Sequence, residues 1–103
     1  MNLNNLIKSH RKDILHLAAR HGAVNIRVFG SVARNQADAH SDVDFLVDME
    51  PGRSLLDMGG LLVDLEALLG CNVDIVSVKG LRARIRDRVL EEAIPLCEMI
   101  RNG

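Results

Sequence analysis

Gly30-Ser31-Val32-Ala33-Arg34-Asn35-Gln36-Ala37-Asp38-Ala39-His40-Ser41-Asp42-Val43-Asp44 joins two apolar strand patterns. Before it, Val24, Ile26 and Val28 alternate with Asn25, Arg27 and Phe29, which predicts a strand with those two sets on opposite faces. After it, Asp42 to Met49 predicts a second strand, apolar on both faces except at Asp44. The Gly30-Ser31 pair therefore sits at a strand end that opens a short helical turn, about Ser31 to Asn35. Backbone N–H groups and a hydroxyl at such a corner can hold phosphate. Residues 36–41 predict a polar loop over the same place. Asp42 and Asp44, two apart on a strand, present both carboxylates to one face.

Toward the N-terminus, Leu3, Leu6, Ile7, Ile14, Leu17 and Ala18 fall on one stripe, so residues 3–20 predict one amphipathic helix stopped at Gly22. His10, His16 and His21 lie on or just after it and read as surface or hydrogen-bonded histidines, not a metal cluster. Toward the C-terminus, Pro51-Gly52 breaks the chain. Ser54 and Asp57 then form a weak capping box for a helix whose stripe is Leu55, Met58, Leu61, Leu62, Leu65, Leu68 and Leu69. Gly59-Gly60 in its middle costs about 1 kcal/mol per residue relative to alanine, which close approach of a neighbouring element would explain. Gly70 ends this helix. Asn72 to Val78 predicts a third strand, with Asp74 in an apolar frame. Lys79-Gly80 leads to a last helix, about Leu81 to Ala93, with Leu81, Ile85, Val89 and Ala93 as its buried face. Arg82, Arg84, Arg86 and Arg88 read as a solvated face with intrahelical pairs such as Arg88–Glu92. Pro95 stops the helix, and the apolar tail from Leu96 to Ile100 is expected to dock on the core or on a partner.

The 103 residues suit one domain, residues 1–103, with an aliphatic core: the apolar share is 48% but Phe29 and Phe45 are the only aromatics. The predicted order is α-β-(short α)-β-α-β-α, a small α/β (α+β) fold with a three-stranded mixed sheet packed by helices. A formal net charge of −1 and the scarcity of stacking aromatics argue against a nucleic-acid binder. No apolar run reaches membrane-span length and the N-terminus lacks a signal-peptide pattern, so the expected location is cytoplasmic. Cys71 and Cys97 lack metal-ligand spacing and read as small buried thiols.

Asp42, Asp44 and Asp74 are the acidic residues set inside apolar strand patterns, where a carboxylate is costly unless paired or bound to metal. Three carboxylates converging on one sheet suit two divalent ions that position an in-line attack on phosphorus. Hard oxygen ligands select Mg²⁺, with Mn²⁺ as a substitute. Asp42 and Asp44 are the candidates to bridge both ions. Asp74 would hold the ion nearest the acceptor and help take its proton. Gly30 lets backbone approach a triphosphate, Ser31 can bind its β- and γ-phosphates, and Arg34 adds positive charge one turn later. These six residues form the candidate site; His40 and Lys79 nearby read as a loop histidine and a surface turn lysine.

This pattern resembles the minimal nucleotidyltransferases of the polymerase-β-like superfamily. Gly30-Ser31, the ten-residue gap and Asp42-Val43-Asp44 match the family signature, and Asp74 matches its third carboxylate. The resemblance extends over Glu50 to Asp57 and Arg88 to Leu96. It implies transfer of AMP from ATP, with Mg²⁺, onto a partner protein. The implied role is the antitoxin half of a prokaryotic module, silencing a HEPN-domain ribonuclease toxin by modifying a tyrosine. Larger relatives carry extra domains that bind the acceptor; the expectation here is that the acceptor brings its own binding surface. A rival reading keeps the fold but makes it an inactive module that neutralises a toxin by binding. A homo-oligomer is compatible with either.

Overall fold

The structure is a computed structural model, describing residues 3–34, 36 and 42–98. Its elements run α1 (Leu3–Ser9), α2 (Arg11–Arg20), β1 (Ala23–Phe29), β2 (Val43–Met49), α3 (Leu55–Leu69), β3 (Val73–Ser77), a 3-10 turn (Val78–Gly80), α4 (Ala83–Glu92), β4 (Ile94–Pro95) and a second 3-10 turn (Leu96–Glu98). The mixed α+β class is as expected, but the sheet has four strands, in the order β3-β2-β1-β4. β1 pairs antiparallel with β2 and β4, while β2 and β3 are parallel and joined through α3. A parallel pair needs such a crossover, because no tight turn can reverse the chain twice. The extra strand has two residues, and its Pro95 is tolerated because β4 is an edge.

The main core lies between one sheet face and the helices: Leu3, Ile7, Ile14, Ala18, Ile26, Val28, Phe45, Val47, Leu61 and Leu65 are all buried there. The predicted N-terminal helix is broken at His10. The Ser9 hydroxyl (2.9 Å) and His10 Nδ1 (2.9 Å) both reach the Leu6 carbonyl, a local side-chain alternative to the helical ladder. The stripe nonetheless survives the break, with Ile7 and Ile14 both fully buried.

β1 departs from strict alternation. The register slips between Ala23 and Asn25, so Ala23 is buried and Val24 is 60% exposed, against the expectation that Val24 faces inward with Ile26. An extra residue in one strand flips the face of what precedes it. In α3, the Ser54 hydroxyl accepts from Leu56 N–H at 3.2 Å and Ser54 N–H donates to Asp57 at 2.8 Å, so the capping box forms. Gly70 closes the helix in the left-handed conformation (φ 67). Leu55, placed on the stripe by its sequence, is 83% exposed instead, because the first turn of α3 precedes its contact with the sheet. Gly60 packs where expected: a β-carbon there would meet the His21 Cε1 at 2.9 Å. Gly59 faces open space. His21 is held by Asp64, 2.6 Å from Nε2 to Oδ2, across α2 and α3.

The last helix corrects two expectations. None of its residues is buried; Ile85 is exposed and Val89 only half-buried. Its arginines are not all solvated either. Arg86 lies partly buried, donates to the Leu81 carbonyl at 2.9 Å and has a buried Nε without a partner. The tail docks as expected through Leu96, which is fully buried, while Arg11 donates to the carbonyls of Leu96 (3.0 Å) and Cys97 (3.1 Å). Met99 and Ile100 lie outside the described residues. Cys71 is half-buried, but Cys97 is exposed, because the 3-10 turn directs Leu96 inward and its neighbour outward. Both thiols are free.

Candidate active site

Strand register brings the predicted carboxylates to one end of the sheet. Asp44 stands opposite Phe29 on β1 and opposite Asp74 on β3. Along β2, Asp44, Leu46 and Asp48 share the face turned away from the main core, whereas Val43, Phe45 and Val47 point into it. Asp42 precedes β2 by one residue and is exposed, as is Asp74; Asp44 is half-buried between them. Val43 N–H donates to the Asn72 carbonyl at 3.0 Å, which ties the start of β2 to the approach of β3.

The electrostatics follow from this geometry. The Asp44 carboxyl is pushed above the usual carboxylate range, first by burial, then by the charge of Asp74 and then by that of Asp42; the Arg34 guanidinium opposes them. The Cys71 thiol is also raised, chiefly by burial, with Asp42 and Glu66 adding to it.

The Gly30 corner meets the same carboxylate. Gly30 has φ 69, and a β-carbon there would lie 2.5 Å from Asp44 Oδ2. The turn after it is closed by Arg34 N–H donating to the Gly30 carbonyl (3.1 Å) and Gln36 N–H to the Ser31 carbonyl (2.8 Å). Val32, almost fully buried, pins this turn to the core and leaves Ser31 half-exposed at its start. Arg34 is exposed; its Nε donates to Gln36 Oε1 and its Nη1 to Glu92 Oε1, each at 3.2 Å. All six predicted site residues thus cluster at the ends of β1, β2 and β3. His40 lies outside the described residues, and Lys79 is exposed in the 3-10 turn after β3.

The donor chemistry fits a hard divalent cation. Three carboxylates face one strand end, and the burial and, after it, the mutual repulsion that raise Asp44 are what such a cation offsets. Among the described residues the oxygens are not already gathered at ligand distance. Coordination would therefore require rotation of Asp42 and Asp74, both exposed and free to turn.

Sequence reasoning missed Glu92. The expected partner within α4 was Arg88, but Glu92 pairs with Arg34 across 58 residues of sequence. The antiparallel pairing of Val28 with Ile94 explains this, since continuing it carries Glu92 toward Gly30. Arg34, Arg88, Glu91 and Glu92 line a cleft of about 480 Å³ at this end of the sheet.

Comparison with known proteins bears on this arrangement. The family model described as the nucleotidyltransferase domain matches residues 7–96. The chain belongs to the nucleotidyltransferase domain family. Its chemistry is accordingly nucleotidyl transfer. It is 41% identical over 92 residues to the protein adenylyltransferase MntA of Thermococcus cleftensis, covering 89% of this chain and 90% of that one. A solved structure provisionally described as a minimal nucleotidyltransferase superposes with a TM-score of 0.85 at 54% identity, covering 92% of this nucleotidyltransferase and 96% of that chain. A toxin–antitoxin structure with AMP-PNP superposes with a TM-score of 0.72 at 20% identity, covering 84% and 71% of the two chains; that likeness is one of fold.

Proposed function

We propose that this nucleotidyltransferase moves AMP from ATP onto a tyrosine hydroxyl of a HEPN-domain toxin, as the antitoxin of the pair. The observation that carries the reading is the register of Asp44 against Asp74 beside the Gly30 corner. It is supported by the adenylyltransferase name of the Thermococcus relative and by a fold shared with a toxin–antitoxin assembly crystallised with a nucleotide analogue.

In this reading Gly30 and Ser31 receive the β- and γ-phosphates: Gly30 lacks the β-carbon that would block approach, and Ser31 supplies a hydroxyl and N–H groups. Arg34 adds charge to the same phosphates. Asp42, Asp44 and Asp74 would hold Mg²⁺ as two ions, Mn²⁺ substituting, and the bound metal supplies the positive charge that polarises the α-phosphate and stabilises the leaving group. The acceptor oxygen bonds to the α-phosphorus, the bond from that phosphorus to the bridging oxygen breaks, and pyrophosphate departs. Asp74 takes the proton of the acceptor hydroxyl, being the exposed carboxylate on the strand next to Asp44.

Coexpression with the toxin tests this reading. The expected result is a toxin heavier by one or more AMP groups, the added mass mapping to tyrosine. Toxin that stays unmodified yet fully neutralised would assign the protein to inhibition by binding.

A further inference from the structure

Arg34 sits near enough to Asp44 for its charge to act on that carboxyl, yet its outer side is bound to Gln36 and to Glu92. Both members of the Arg34–Glu92 pair keep close to half of their side-chain surface in water, at 47% and 44%. An ion pair so exposed is weak and exchangeable. Among the described residues, the carboxylates set around Arg34 are Asp44, on which its charge acts, and Glu91 and Glu92, which line the cleft with it. Glu91 and Glu92 are on α4, an element with no buried residue, and both line the cleft with Arg34 and Arg88.

We infer that Glu92 is a latch on the phosphate-binding arginine: Arg34 must leave Glu92 to engage the nucleotide's phosphates, so Glu92 sets nucleotide affinity by competing for that side chain. The inference rests on the proposed role of Arg34 as a phosphate ligand. The chemistry of the exchange is plain. A carboxylate and a phosphate are alternative anionic acceptors for the same guanidinium donors, and a triphosphate offers more charge and more oxygens. Glu92 acts through Arg34 and touches no reacting atom, so it is a positioning residue. Glu91, its neighbour on α4, has the same charge and lines the same cleft but is not bonded to Arg34. It therefore separates loss of a latch from mere loss of negative charge.

The test is a double-mutant cycle on the full chain, reading the Kd for ATP with Mg²⁺ by calorimetry. Glu92→Gln is expected to tighten binding about threefold, the size of effect an exposed ion pair permits. Arg34→Gln should weaken binding, and Glu92→Gln added to Arg34→Gln should then tighten it by no more than Glu91→Gln does in wild type. Glu91→Gln should tighten binding by less than Glu92→Gln does. Unchanged or weaker binding by Glu92→Gln, with Arg34→Gln still weak, would overturn the latch while leaving Arg34 as a phosphate ligand. Equal tightening by Glu92→Gln in both backgrounds would also overturn it, as a field effect independent of Arg34. Wild-type affinity in Arg34→Gln would remove the phosphate role of Arg34 and the latch with it.

Discussion

Gly30 and Asp44 are in such close contact that a single added methyl group at residue 30 would lie 2.5 Å from Asp44 Oδ2. The Gly30 corner and the carboxylate set are therefore one structure, with no room between them for a side chain at position 30 unless Asp44 shifts. The left-handed φ of 69 at Gly30 makes the same demand through the backbone.

Gly30→Ala should destabilise the protein by more than Gly52→Ala. Both glycines have positive φ, 69 and 89, but position 52 has nothing within 4 Å of a β-carbon. Backbone strain alone costs roughly 1–2 kcal/mol. Chemical denaturation of the two variants checks this, the difference between them being the contact with Asp44.

Asp44→Asn should raise Tm at pH 7 in metal-free buffer while abolishing transfer. The folded-state pKa of Asp44 is raised, mainly by burial and by Asp74. The folded chain thus holds its proton more tightly than the unfolded chain does. The stability this contributes is fully present below the unfolded value of 3.8 and is lost as pH rises through the raised folded value. At neutral pH the ionised carboxylate is a burden that asparagine removes. Melting curves at pH 4 and pH 7 check the sign: the advantage of the variant should shrink as pH falls.

The adjacent glycines of α3 should respond in opposite ways. Gly59→Ala meets open space and should stabilise by about 0.5–1 kcal/mol through helix propensity. In Gly60→Ala the new methyl meets the His21 ring at 2.9 Å, a ring already fixed by its 2.6 Å contact with Asp64. That variant should be less stable than Gly59→Ala by roughly 1–2 kcal/mol, from strain and overpacking. Urea unfolding midpoints of the pair are the measurement.

Ser54→Ala should cost about 1 kcal/mol, the usual loss for an N-cap hydroxyl. The Asp57 carboxyl, held below its usual range first by the Ser54 N–H, stabilises above pH 3.8 and loses that contribution as pH falls through its lowered value. Wild type and Ser54→Ala compared by denaturation at pH 7 would measure the cap.

Much of this was legible because local chemistry and global fold agree. Gly30, Ser54 and Gly70 each mark an element end by a conformation or a cap that few residues supply, and the two-residue spacing of Asp42 and Asp44 follows from strand geometry alone. What escaped was decided by tertiary pairing, except at His10, where the competition is local. The slip that turns Val24 outward depends on β2, and the break at His10 on competition for one carbonyl. β4 was invisible because Pro95 reads as a stop and only an edge position makes it acceptable. Glu92 was hidden for the same reason: its partner is fixed by the β1–β4 pairing, not by its own helix. The exposure of α4 shows that an amphipathic pattern does not by itself say whether its apolar side is covered.

In the proposed function, the carboxylates aligned by β2 and β3 carry out adenylyl transfer to a partner protein. The most direct measurement is transfer of label from [α-³²P]ATP to purified toxin in single turnover with Mg²⁺, comparing wild type with Asp44→Asn and Asp74→Asn. Wild type is expected to label the toxin, and either variant to do so at least about a hundredfold less while remaining folded. Label transfer within a few-fold of wild type in folded Asp44→Asn would contradict the proposed function.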